Sequence, residues 1–226
     1  MILFDLVRDN EHDPIYQKLT IENGNRQYDF LQSIVGATLS VGRPFLSSQI
    51  LKALNFHAIA CLHSYAGEWR PWIVKVGNHE PPLHHRVDGL MEDFVNTVNR
   101  EWEKTDAVAL ASFVLWRLNW IHPFINGNGR TARAACYFVL CVKAQQWLPG
   151  TTILPELIRR ERSRYELGLQ HADKAYAAGL IDMSPIHALL SELLNEQING
   201  AAPGASSTSQ QPQPQPPAPT PTPATP

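Results

Sequence analysis

An all-α bundle with one short β-hairpin is the fold this sequence predicts, and three observations predict it. Apolar residues recur at helical spacing along most of the 226-residue chain. One run, Val108–Leu118, is apolar nearly all round, as a central buried helix is. Only Gly67–Pro82 departs from that spacing, and there Trp72–Val76 alternates as a strand does.

The elements follow in order. Gln27–Ala37 is a weak amphipathic run, whereas Leu46–Tyr65 is a stronger one carrying Ile50, Leu51, Leu54, Ile59 and Leu62. Val87–Trp102 spaces Leu90, Met91, Phe94, Val95, Val98 and Trp102 as one helix face. Asp106 stands where an N-cap belongs, just before the apolar run, because its carboxylate can accept the first unpaired N–H groups. Thr131–Trp147 is an Ala-rich helix that stops at Pro149-Gly150; Pro155–Ala178 and Ser184–Gln197 supply two more. In the exceptional region, Gly77-Asn78 is a turn signal. Pro81-Pro82 lack N–H donors and stop the return strand early. The free edge formed by Ile73, Val74, Lys75 and Val76 suits either pairing with an extended partner segment or a packing flap with no partner.

From about Ala201 the chain has no aromatic or charged residue and is rich in proline. Such a tail buries too little apolar surface to offset its ordering entropy, so disorder with a polyproline II bias is predicted. It would act as a spacer or as the ligand of a Pro-motif reader. A formal net charge of −2 without charge blocks argues against nucleic-acid binding. No stretch is long enough to span a bilayer, and the start lacks the pattern of a signal peptide. Cys61, Cys136 and Cys141 are an odd set in apolar contexts and read as core residues in a reducing compartment, so a cytoplasmic protein is expected. His79, His84 and His85 match no common metal-ligand spacing.

The informative stretch is Trp120–Arg133, W-I-H-P-F-I-N-G-N-G-R-T-A-R, between two helical runs. Glycines let backbone N–H groups approach a phosphate, and the opening helix turns its unpaired N–H groups and positive dipole end toward it. Arg130 and Arg133, three apart, can both reach anionic oxygens as planar forks. His122 would stand beside that cradle as a base.

Residues His122–Arg133 resemble the signature of the Fic family, H-P-F-x-[D/E]-G-N-G-R-x-x-R. Tyr65–Arg70 with the Val-x-Val segment and Pro81-Pro82 resemble the family's approach to its target-binding flap. Tyr165–Leu169 with Ala172 resemble its closing helix, so that about residues 20–198 are covered. The resemblance implies a Fic-type helical bundle in three parts. Residues 1–40 form an N-terminal segment, 41–200 the catalytic domain and 201–226 the tail. It also implies transfer of AMP from ATP, with Mg²⁺, to a Ser, Thr or Tyr hydroxyl of a target protein. His122 would be the base. Gly127, Asn128, Gly129, Arg130 and Arg133 would hold the phosphates, Tyr165 would contact the nucleotide base, and Ile73–Val76 would dock the target. The family's dimers admit a homodimer here.

Two departures accompany the resemblance. The metal-holding acid of the signature is Asn126, which offers a cation a carbonyl oxygen but no charge. Thr20–Asn25 resembles the family's inhibitory helix, [S/T]-x-x-x-E-[G/N], with Lys18 at the hydroxyl position; Glu22 is expected to reach Arg133 and restrain ATP binding. Two other functions stay open: transfer from a different phosphate-containing donor, and nucleotide binding or an adaptor role with weak catalysis. A phosphorylating branch of the family tends to carry lysine where Gly129 stands.

Overall fold

The computed structural model describes residues 2–77 and 79–200. Among them are nine α-helices: α1 (Leu3–Leu6), α2 (Pro14–Val41), α3 (Ser48–Ile59), α4 (Val87–Glu101), α5 (Ala107–Ile121), α6 (Asn128–Lys143), α7 (Leu154–Arg160), α8 (Arg162–Ala177) and α9 (Ser184–Asn199). A 3-10 turn, His84–Arg86, leads into α4. The proline-rich tail lies outside the described residues.

The centre is the antiparallel pair α5–α6. Asp106 caps α5, its Oδ1 accepting from the Ala109 N–H at 2.9 Å. Leu110, Val114, Leu115, Trp116, Leu118 and Ile121 are buried along it, and α6 is buried from Ala134 to Val142. Helices all round bury the two, so neither can show a polar face. Cys136 and Cys141 belong to this core. Burial pushes the Cys141 thiol up to about 11 and the Cys136 thiol higher still, so both remain neutral. Cys61, expected in the core, is instead exposed and sits in a left-handed turn at φ 63° just past α3. No helix among the described residues is long and apolar enough to cross a membrane.

Several helix boundaries differ from expectation: α6 runs Asn128–Lys143 rather than Thr131–Trp147, starting directly at the left-handed Gly127. The weak run at Gln27–Ala37 is part of the 28-residue helix α2, which starts at an Asp13 cap and Pro14 and ends at Gly42 with φ 66°. Its buried stripe is Tyr16, Asn23, Gln27, Leu31, Val35 and Thr38. Half of that stripe is polar, which masks its periodicity. The buried amides are paired: Asn23 donates to the Ala60 carbonyl and Gln27 to the Leu54 carbonyl, both at 2.9 Å. Helix α3 stops at Ile59 rather than Tyr65 because Ala60 and Cys61 leave the helical region. The long run Pro155–Ala178 is two helices, broken at Glu161 with ψ 33°.

The expected β-hairpin is not seen as a pair of strands among the described residues. Among the described residues the only β pairing is one antiparallel rung: the His79 N–H donates to the Val76 carbonyl at 2.9 Å and the Val76 N–H to the His79 carbonyl at 3.3 Å. An isolated two-stranded ribbon is marginal in water, and Pro71, Pro81 and Pro82 cannot donate to a longer ladder. The segment is an irregular flap; Asn78 at its tip lies outside the described residues.

Candidate active site

The C-terminal end of α5 delivers His122. Its backbone takes the left-handed conformation, φ 52° and ψ 59°, with its N–H donating to the Leu118 carbonyl. This turn swings the chain out of the helix and directs it across the N-terminus of α6. Ring atom Nδ1 lies 3.3 Å from the Asn119 carbonyl. A carbonyl only accepts, so Nδ1 carries the proton and Nε2 keeps its lone pair. Burial is the main reason the ring's pKa falls to about 4; the Asn119 contact opposes the fall, and His79 and Arg70 add to it. At neutral pH His122 is therefore an unprotonated imidazole.

The motif turn is held from within. Asn128 is buried, and its side chain closes the loop on both backbone groups of Phe124: Oδ1 accepts from the Phe124 N–H at 2.9 Å and Nδ2 donates to its carbonyl at 2.8 Å. What Asn128 can offer a phosphate is its main-chain N–H. Gly127, the N-cap of α6, has φ 74°, and a Cβ there would lie 2.7 Å from Ile59 Cγ2. Conformation and space both require glycine. Because that cap has no side chain, the first N–H groups of α6 are left for an anion.

His122, Gly129, Arg133, Asn119 and Tyr165 line one cleft of about 1310 Å³. Burial lowers the pKa of Arg133 somewhat, yet it stays a cation, with Tyr165 and Glu156 nearby. No hydrogen bond joins its guanidinium to another described residue, so the fork is open to a ligand. The Tyr165 hydroxyl accepts from Asn119 Nδ2 at 2.7 Å, and burial keeps it neutral. Arg130 lies on the other side of the turn. It donates to the Ala58 carbonyl at 2.7 Å and to Asn126 Oδ1 at 3.3 Å.

Asn126 is not arranged as expected of a cation ligand. Its Oδ1 accepts from the Gly127 N–H at 2.6 Å and from Arg130, while its Nδ2 donates to Glu11 Oε1 at 3.1 Å. The oxygen that could face a metal is turned into the motif. No cluster of three acidic, histidine or cysteine ligands occurs among the described residues. A single carboxylate, that of Glu11, touches the motif at this position, and it accepts from the Asn126 amide.

Glu22 does not reach Arg133. It pairs with Arg26 at 3.8 Å, one turn along α2, and lines an apolar surface groove with Leu3, Leu6 and Lys18. The buried stripe of α2 runs through Asn23, and the next residue back along the helix is rotated about 100° away from that face. Asn23 therefore meets the core and Glu22 meets solvent.

Two residues that motif reading left without a role hold the flap. Arg70 is only 2% exposed. Its Nε donates to the His122 carbonyl at 2.8 Å, its Nη1 to the Trp72 carbonyl at 2.9 Å and its Nη2 to the Pro82 carbonyl; its own N–H donates to the Pro123 carbonyl. One guanidinium thus fastens both ends of the flap to the backbone of the histidine. Asn55 on α3, fully buried, donates to the Asn126 carbonyl at 2.9 Å and accepts from the Gly67 N–H at 3.0 Å, joining motif and flap base. At the tip, His79 Nε2 donates to the Trp120 carbonyl at 2.9 Å, and Nδ1 faces Asp173 at 3.6 Å. Asp173 is held in turn by the Trp116 indole N–H at 2.8 Å. Of the expected docking edge, Ile73 is 65% exposed and Val74 and Lys75 form no ladder, leaving Val76 as its paired residue. His84 and His85 are exposed in the 3-10 turn.

Residues 45–140 match the family model described as the Fic/DOC family. The proteins named "Protein adenylyltransferase Fic" of Drosophila willistoni and Drosophila yakuba are 41% and 43% identical to it over 68 residues, 30% of this chain and 14% of theirs. The match therefore spans about a seventh of those relatives. Among solved structures, a C. elegans Fic-1 fragment has a TM-score of 0.61 at 20% identity, covering 80% of this chain and 49% of that one. A Fic-domain-containing signaling protein from Bacteroides thetaiotaomicron has a TM-score of 0.63 at 22% identity, covering 80% and 70%. Both share the fold.

Proposed function

We propose, from the premise that this chain carries a Fic/DOC-family domain, that it transfers AMP from ATP to a hydroxyl side chain of a protein. The observation that carries the reading is the neutral His122, its Nε2 lone pair free, in one cleft with the start of α6 and an open Arg133. A protein hydroxyl is a poor nucleophile until a base takes its proton. In the proposed step the hydroxyl oxygen bonds to the α-phosphorus while Nε2 receives its proton. The bond from the α-phosphorus to the bridging oxygen breaks, and pyrophosphate leaves. The rest of the work is positioning and charge. The N–H groups of Asn128 and Gly129 face the phosphates, Arg133 takes the terminal ones, and the flap holds the target backbone near His122. Mg²⁺, bound with the nucleotide, would neutralise phosphate charge.

Labelled ATP tests this. Label from the α position, and none from the γ position, is expected on an acceptor protein or on the chain itself, and His122→Ala should lower it by about 10²–10⁴-fold. Label from γ would mean phosphorylation, and undiminished α-label in His122→Ala would remove the histidine from its role. Restraint by Glu22 is not carried into this reading, since its carboxylate faces solvent. Self-labelling of Glu22→Gly is expected to equal that of the wild type.

A further inference from the structure

A surface groove of about 620 Å³ runs between α1 and the start of α2, and none of the residues lining it lines the cleft. Its walls are apolar: Ile2, Leu3 and Leu6 on one side, Ile15 and Leu19 on the other, with Cys61 beside them. Leu6 is 62% and Ile15 65% exposed, although the walls are fixed in place. The Leu3 and Phe4 N–H groups donate to the Cys61 and Leu62 carbonyls at 3.1 Å. The Phe4 ring lies against His63, 4.6 Å between centroids, and His63 Nε2 is hydrogen-bonded to the Tyr16 hydroxyl at 2.8 Å. Helix α2 thus carries two apolar faces at its start. Tyr16 turns into the core, whereas Ile15 and Leu19 turn into the groove. A surface helix needs one apolar stripe for its own packing, and a second, rimmed by charge, marks a contact surface.

The rim identifies the occupant. Lys18 and Glu22 both line the groove, one turn apart on α2, and both are exposed. Among the described residues Lys18 pairs with no carboxylate within 4.0 Å, and Glu22 meets Arg26 at 3.8 Å between solvent-exposed side chains. A cation and an anion in tandem complement themselves when turned about a two-fold axis. With two α2 helices crossing antiparallel between these positions, Lys18 of each copy meets Glu22 of the other, while Leu6 and Ile15 are covered. A proline-rich segment without charge, such as residues 201–226, would suit the walls but not the rim. We propose that this groove is a two-fold interface with a second copy of the chain, with Lys18 and Glu22 pairing across it. The inference is independent of the proposed transfer reaction, and such a dimer leaves the cleft open.

Sedimentation equilibrium of the full chain tests it, with the rate at which a thiol reagent labels Cys61 as a second readout. Cys61 is exposed while Cys136 and Cys141 are buried, so labelling reports on the groove. The wild type is expected to dimerise, and its Cys61 to react more slowly as chain concentration rises. Ile15→Asp should abolish both effects. Lys18→Glu sets a carboxylate opposite Glu22 and should weaken the dimer by about tenfold or more. Adding Glu22→Lys to that variant should restore it, because the two-fold axis then pairs opposite charges again. A wild type that stays monomeric up to about 100 μM overturns the proposal. So does a dimer that none of these substitutions weakens, or one that the double charge exchange fails to restore. A monomer with Cys61 protected would give the groove to a segment of the same chain and overturn it equally.

Discussion

The motif turn and the flap face each other across the cleft, and they are held in place by opposite means. The turn, His122–Arg130, runs between two helix ends, and most of what fixes it is local. A left-handed His122 ends α5, a left-handed Gly127 starts α6, and Asn128 bonds back to Phe124 four residues away. The flap has one rung of pairing and no ladder. It is fixed by side chains meeting distant carbonyls: Arg70 on His122, His79 on Trp120, and Asn55 bracing its base. Backbone conformation can be written into adjacent residues, whereas anchoring of an irregular segment needs partners that only the fold brings near.

Substitutions that exchange these two kinds of support should separate them. The largest effect is expected at the turn. Gly127→Ala combines left-handed strain with a methyl 2.7 Å from Ile59 Cγ2. It should lower unfolding stability by roughly 2–4 kcal/mol in denaturant titration and abolish transfer. A wild-type midpoint would mean that the turn is not locally determined.

Arg70→Leu should come next, because it removes the donors to three flap and motif carbonyls at once. A loss of about 3 kcal/mol is expected, with turnover reduced about 100-fold in the surviving folded fraction as His122 loses its register. Arg70→Lys should recover little, since one ammonium cannot reproduce the fork. A smaller change is expected from His79→Ala, which releases the flap tip alone. The acceptor KM should rise about fivefold, with ATP-analogue affinity unchanged, for the loss of one hydrogen bond and a partly exposed ion pair. An unchanged acceptor KM would show that the tip carries no part of docking.

The subtlest test is the acid limb of kcat/KM. With neutral His122 as the base of the proposed transfer, activity should persist as pH falls below 6.5 and decline only toward about 4, where the ring protonates. A limb centred near 6.5 would place the ring in water rather than in the folded site. His79→Ala removes a neighbour whose charge lowers the His122 pKa, so the limb should move up in that variant.

These contrasts show where sequence reading succeeds. The helices α4, α5, α6 and α9 were legible because burial on one side, or on all sides, leaves a periodicity in the residues themselves. That His122, Gly129 and Arg133 would come together was legible because the glycine turn and the helix start follow the histidine directly in the chain. Helix α2 was read only in part, since Asn23 and Gln27 occupy its buried stripe and their amides are satisfied by carbonyls of another element. Arg70 is legible only as part of the approach to the flap; its burial and its carbonyl partners are not, since nothing local distinguishes a buried arginine.

What the sequence by itself determined is an all-α core around α5 and α6 and a histidine set at the turn between them, because helical periodicity and left-handed turns are properties of neighbouring residues. Tertiary structure alone decided that Asn23 faces inward and Glu22 outward, that Glu11 meets Asn126, and that Arg70 rather than a β-ladder secures the flap. The rotation of a helix about its axis and the partner of a distant side chain are set by the burial of the whole core, to which every element contributes at once.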